Sequence, residues 1–172
     1  MDVPALAKKI RDIPDFPKPG ILFRDVTPLL LDPVAFAAAA EAMAAPFRAL
    51  GVERVLCIES RGFLFGAPIA LALGVGLGLI RKHGKLPHDT LQARYELEYG
   101  VDTVEMHIDA AGRGQRVLIV DDLIATGGTA AAAVQLARQA EAEVVGCTFL
   151  IELAALGGSA RVDARCHSVL RF

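Results

Sequence analysis

Apolar runs separated by alanine-rich stretches do most to limit what this chain can fold into. β-type runs occur at residues 54–58, 75–81, 117–120 and 144–150, with a more polar one at 103–108. Between several of them lie stretches rich in alanine, notably 33–50 and 129–140. Alanine has the best helix propensity, and its small side chain lets a helix lie close to a sheet. Asp32 followed by Pro33 supplies an N-cap and a proline for the first helical position. Strands that read as continuous apolar runs are buried on both faces. Their alternation with helices predicts an α/β fold, a mostly parallel twisted sheet flanked by helices. The 172 residues suit one domain, 1–172, without repeats or a linker of biased composition.

Hydrophobic residues make up 53% of the chain, somewhat more than is usual for a soluble domain. The excess directs attention to residues 62–80, 19 positions without a charge between Arg61 and Arg81. A stretch of that length could span a bilayer. It holds five glycines and Pro68, however, and its second half alternates large side chains with glycine. Glycine costs about 1 kcal/mol per residue in a helix interior. The window therefore reads as a short helix over 63–73, a turn at Gly74 and a buried strand. No basic head opens the chain, and the three cysteines have no metal-ligand spacing. With 18 basic and 20 acidic residues, no basic stripe marks a nucleic-acid footprint. A cytoplasmic protein without nucleic-acid or membrane partners is expected.

Two segments break the pattern. Residues 12–28 contain Pro14, Pro17, Pro19 and Pro28 and are expected to stay irregular until after Gly20. Residues 81–100 are polar, charged and long for a connection, so a functional loop is expected there.

The densest chemistry lies in residues 116–130, R-V-L-I-V-D-D-L-I-A-T-G-G-T-A. An apolar strand delivers Asp121 and Asp122 at its carboxyl end, where open α/β sheets bind ligands. The turn Ala125, Thr126, Gly127, Gly128 and Thr129 follows, and then a helix. Two glycines let the backbone aim its N–H groups, two threonines add hydroxyls, and the helix N-terminus adds a positive dipole. Together these suit a phosphate monoester. Carboxylates beside an anion site need hydroxyls or a cation to face, which points to a ribose diol or Mg²⁺.

This stretch resembles the phosphoribosyl-pyrophosphate (PRPP) signature of the type I phosphoribosyltransferase family. Segments 16–25 (F-P-K-P-G-I-L-F-R-D), 60–63 (S-R-G-F), 81–87 (R-K-H-G-K-L-P) and 97–100 (L-E-Y-G) are similar, in order and spacing, to the branch that uses adenine. The resemblance implies a type I phosphoribosyltransferase fold with a small hood near 12–28 and a flexible lid loop near 81–100. It implies transfer of a 5-phosphoribosyl group from PRPP to N9 of adenine, with AMP and pyrophosphate as products. The transition state would be oxocarbenium-like, with Mg²⁺ as cofactor. A transferase for another purine, or a PRPP-sensing module without chemistry, are the alternatives it leaves.

By the same resemblance, Ala125, Thr126, Gly127, Gly128 and Thr129 would hold the 5-phosphate, with Asp121 and Asp122 on the ribose hydroxyls. Ser60, Arg61, Arg81, Lys85 and Tyr99 would serve the pyrophosphate, Arg81 from across a homodimer interface. Glu98 would be the general acid/base near the base, with Arg61 beside it in catalysis. Leu22, Arg24 and Leu153 would surround adenine. Mg²⁺ would be held mainly by PRPP oxygens, with contacts through water to Asp121 and Asp122. A cis peptide is expected between Glu59 and Ser60.

Overall fold

A computed structural model describes residues 1–97 and 100–172. The chain opens with a short helix α1 (Val3–Ala7) and a two-stranded antiparallel ribbon, β1 (Arg11–Pro14) and β2 (Leu22–Asp25). The expectation that 12–28 stays irregular until after Gly20 is thus corrected, because β1 forms before it. Pro14 is tolerated as the last residue of a strand that has only one neighbour. Helices α2 (Thr27–Leu31) and α3 (Pro33–Ala44) follow. Asp32 caps α3 as expected, accepting from the backbone N–H groups of Val34 and Ala35. The helical stretch to residue 50 changes character at Ala45, where a 3₁₀ segment (Ala45–Leu50) begins. Pro46 has no N–H to continue the α-helical ladder. Near that end the Met43 carbonyl accepts from the buried hydroxyl of Thr148 at 3.0 Å.

The remaining elements are β3 (Arg54–Ile58), α4 (Gly62–Leu73), β4 (Gly76–Lys82), β5 (Thr90–Leu97) and β6 (Gly100–His107), then β7 (Arg116–Ile124), α5 (Gly128–Gln139), β8 (Glu143–Glu152) and β9 (Cys166–Arg171). They build a seven-stranded sheet in the order β5-β6-β4-β3-β7-β8-β9. Strands β4, β3, β7, β8 and β9 run parallel, whereas β6 joins β4 antiparallel and carries β5 with it.

Alternation along the central strands explains why they read as continuous apolar runs. Leu56, Ile58, Val117 and Ile119 face one core with α5, through Ala133, Leu136 and Ala137. Val55, Cys57, Leu118 and Val120 face the other, against Met43 of α3 and Phe65 and Ile69 of α4. Burial pushes the Cys57 thiol up to about 12, so it serves as a small inert core group.

Two further expectations change. Strand β4 is not wholly buried, since Leu77 and Leu79 remain 39% and 38% exposed at its N-terminal half. Most of residues 81–100 is not a loop either. Only a turn near 83–89 separates β4 from β5, and β5 pairs with β6 along its described length. Its side chains alternate: Leu91, Ala93 and Tyr95 turn toward the α5 core, while Gln92, Arg94 and Glu96 face out. Polar side chains at every second position conceal a strand that is half-buried. Among the described residues, no helix is long and apolar enough to cross a membrane.

Candidate active site

Strands β3 and β7 lie side by side, with Cys57 opposite Val120, so their carboxyl ends bring two functional segments together. From β3 come Glu59, Ser60 and Arg61, with a cis peptide between Glu59 and Ser60 as expected. From β7 come Asp121 and Asp122. Gly62 allows the close contact between these segments: a methyl group there would stand 2.8 Å from Asp121 Oδ1 and 3.0 Å from the Val120 carbonyl.

A cavity of about 460 Å³ opens over these ends. Its walls are Ser60 and Arg61, Asp121 and Asp122, and the whole turn Ala125, Thr126, Gly127, Gly128 and Thr129. Gly127 takes the left-handed conformation, φ 84°, and caps α5 without any side-chain hydrogen bond. The first turn of α5 also lacks acidic residues. The helix thus presents its N-terminal amides and positive dipole to the cavity, as an anion site requires.

Charges around the cavity meet in pairs. Arg61 Nε donates to Asp122 Oδ2, Arg81 Nε donates to Glu59 Oε2 at 2.9 Å, and Lys82 Nζ lies 3.4 Å from Asp102 Oδ2. Asp121 Oδ1 accepts from the Asp122 N–H at 2.8 Å. Burial, then the adjacent charge of Asp122, push the Asp121 carboxyl well above the usual carboxylate range. Three cations therefore face four carboxylates, and a polyanionic ligand fits only with further positive charge or by opening these pairs.

A family model described as a phosphoribosyl transferase domain matches residues 28–170. Adenine phosphoribosyltransferase of Rhodopirellula baltica is 54% identical over 168 residues, 97% of this chain and 82% of that protein. The chain belongs to the adenine phosphoribosyltransferase family. The adenine phosphoribosyltransferase of Rhodothermus marinus superposes with a TM-score of 0.95 at 50% identity, covering 99% of this chain and 98% of that one. The Saccharomyces cerevisiae enzyme, solved with an imino-altritol bisphosphate and adenine, gives 0.93 at 41% identity, with 98% of each chain covered. The type I phosphoribosyltransferase fold is thereby established for this chain.

Within this adenine phosphoribosyltransferase fold, not every expected residue reaches the cavity. Arg81 lines the cavity of its own chain, and its Nη1 donates to the Lys85 carbonyl at 3.1 Å. Lys85 is tied in by its main chain, since its N–H also donates to Glu105 Oε1 at 3.1 Å. Leu22 is exposed and lies outside the cavity wall. Arg24 pairs with Asp12 and stacks 4.1 Å from the centre of the Phe172 ring. Leu153 packs against the α3–α4 core. Glu98 and Tyr99 lie outside the described residues.

Other residues line the cavity without having been singled out. Glu59, Lys82, Tyr95 and Asp102 all do so. Tyr95 donates to Asp102 Oδ2 at 3.2 Å, and its ring edge lies 3.3 Å from where a methyl on Gly128 would sit. Phe23 of β2 is close too, its ring centre 5.7 Å from the Arg61 guanidinium carbon. The alternation of Leu91, Ala93 and Tyr95 was the available signal for Tyr95. Asp102 and Lys82 meet only through the antiparallel β4–β6 pairing, which no local pattern announces.

Proposed function

We propose that this chain transfers the 5-phosphoribosyl group of PRPP to N9 of adenine, releasing AMP and pyrophosphate, in purine salvage. The observation that carries this reading is the uncapped N-terminus of α5, with its turn at 125–129, set beside Asp121 and Asp122 in one cavity with Arg61 and Arg81. The turn amides and the hydroxyls of Thr126 and Thr129 hold the 5-phosphate. Asp121 and Asp122 accept from the ribose hydroxyls and fix the sugar. Ser60, Arg61, Arg81, Lys85 and Tyr99 hold the diphosphate, and arginine suits this because its planar fork bonds phosphate oxygens in pairs.

As the bond from the ribose anomeric carbon to the diphosphate oxygen breaks, positive charge grows on the ring. The negative charge passes to the diphosphate, where Arg61 and Arg81 stabilise it. Adenine N9 then forms the new bond to the anomeric carbon, and the proton that the base gives up passes to Glu98. Leu22 and Arg24, on the hood at 12–28, and Leu153, just after β8, belong to the adenine side. The segment 81–100 acts as the lid that excludes water.

The residues present suit Mg²⁺ bound together with substrate. Among the described residues, no group of three or more His, Cys, Asp or Glu could cage a metal. Mg²⁺ commonly binds through one or two carboxylates, substrate phosphates and retained waters, and Asp121 and Asp122 offer that partial set. Bound there, it would neutralise diphosphate charge that the paired cations leave uncompensated. We further place the chain in the cytoplasm, as a homodimer of single-domain subunits.

The test is incubation with Mg²⁺ and PRPP against adenine, hypoxanthine and guanine separately. AMP formation from adenine, without comparable turnover of the other two, is expected. Preference for hypoxanthine or guanine would reassign the substrate. PRPP binding without turnover of any purine would make the chain a sensor.

A further inference from the structure

Behind the phosphate turn, away from the cavity, its backbone lies directly on a second backbone segment. A methyl group on Gly127 would stand 2.3 Å from the Gly158 carbonyl oxygen. One on Gly158 would stand 2.2 Å from the Ala125 carbonyl oxygen and 2.7 Å from the Gly127 nitrogen. Carbon atoms essentially never approach backbone this closely, so neither glycine can carry a side chain unless a segment moves.

Segment 157–161 is held from its far side. Gly158–Arg161 forms a 3₁₀ turn, and Ser159 Oγ donates to Glu152 Oε1 at 2.7 Å. Glu152 ends β8, is 5% exposed, and also accepts from Arg171 Nε at 3.1 Å and Nη2 at 3.2 Å. The Ala154 N–H donates to the Phe172 carbonyl at 2.8 Å, tying the same connection to the last residue. A displacement forced at Gly158 is therefore taken up by 125–127, the side that faces the open cavity.

We propose that Gly158, held in place by Ser159 and Glu152, is a positioning residue for the phosphate turn: it sets where the 125–129 amides point without touching substrate. The inference rests on reading that turn as the 5-phosphate site. Its signature is selective, because PRPP, AMP and ribose 5-phosphate share the 5-phosphate while adenine and pyrophosphate lack it. A shift of about 1 Å in a binding group can cost about a hundredfold.

The experiment compares wild type with Gly158→Ala and Ser159→Ala. In Gly158→Ala the KM for PRPP and the Kd for AMP should rise about a hundredfold. The KM for adenine at saturating PRPP, and for pyrophosphate in the reverse direction, should stay within about twofold. Ser159→Ala, which removes one hydrogen bond, should raise the same two constants about fivefold. It also decides the matter if Gly158→Ala does not fold. Unchanged PRPP and AMP constants, or equal losses for all four ligands, would overturn the assignment.

Calorimetric binding of ribose 5-phosphate separates this inference from the proposed reaction. A wild type that binds ribose 5-phosphate but makes no AMP contradicts the reaction alone, and the variants' ribose 5-phosphate affinities then decide the role of Gly158. A wild type that binds none overturns both.

Discussion

Asp121 stands where a carboxylate is expensive to keep. Burial and the neighbouring Asp122 raise its pKa well above the ordinary value, so folding disfavours its charged form. An acid whose pKa is raised by folding contributes stability below its unfolded pKa and loses it as pH rises through the folded value. Asp121→Asn should therefore melt higher than wild type, by more at pH 8 than at pH 5, while AMP formation falls at least about tenfold. Thermal melts at the two pH values check the sign, and a gain independent of pH would contradict it. The acidic pair and the glycine turn were legible in the sequence because their chemistry is contiguous, delivered by one strand, one turn and one helix start. Glu59 and Asp102 were not. Each becomes a site residue only by pairing with a cation from a different strand, Arg81 and Lys82.

Among the elements, the β4-to-β5 turn shows how an ordered arm positions a polar segment. Glu105 of β6 is 2% exposed and accepts from the Lys85 and Leu86 N–H groups, both at 3.1 Å, with His83 Nδ1 also 3.1 Å away. Burial opposes its ionised form, but these donors more than offset that and hold its pKa below the ordinary value. Glu105→Ala would leave two amides without their acceptor, a loss of about 2 kcal/mol. It should also raise the KM for PRPP, because Arg81 meets the chain at Lys85. Chemical denaturation and steady-state kinetics check the two halves, and lost stability with unchanged KM would remove the turn from the site. The strands and helices with uniform apolar or alanine-rich patterns were readable within a few residues. The arm was not, because alternate polar side chains on β5 concealed its inward ones, and the ribbon β1–β2 was hidden by its prolines.

For the whole molecule, the two-faced sheet accounts for the apolar composition that first raised a membrane question. Residues 62–80 became α4, a left-handed Gly74 and β4, carrying the chain from Arg61 to Arg81. Part of the apolar surface stays outside: Leu64, Leu71, Leu77 and Leu79 are exposed, Leu71 at 83%. In the proposed homodimer, side chains such as these on α4 and β4 are the apolar surface that a second copy would cover. Light scattering should give twice the 18.2 kDa chain mass, and a Leu71→Asp variant should shift toward the monomer. A monomer at micromolar concentration would contradict the proposed assembly.

Whether the α5 turn and the two aspartates hold the phosphoribosyl group is decided by a crystal structure of the AMP complex. The 5′-phosphate should lie on the amides and hydroxyls of 126–129, with the ribose hydroxyls on Asp121 and Asp122. Phosphate bound elsewhere, with the turn empty and Asp121 and Asp122 turned from the sugar, would contradict it.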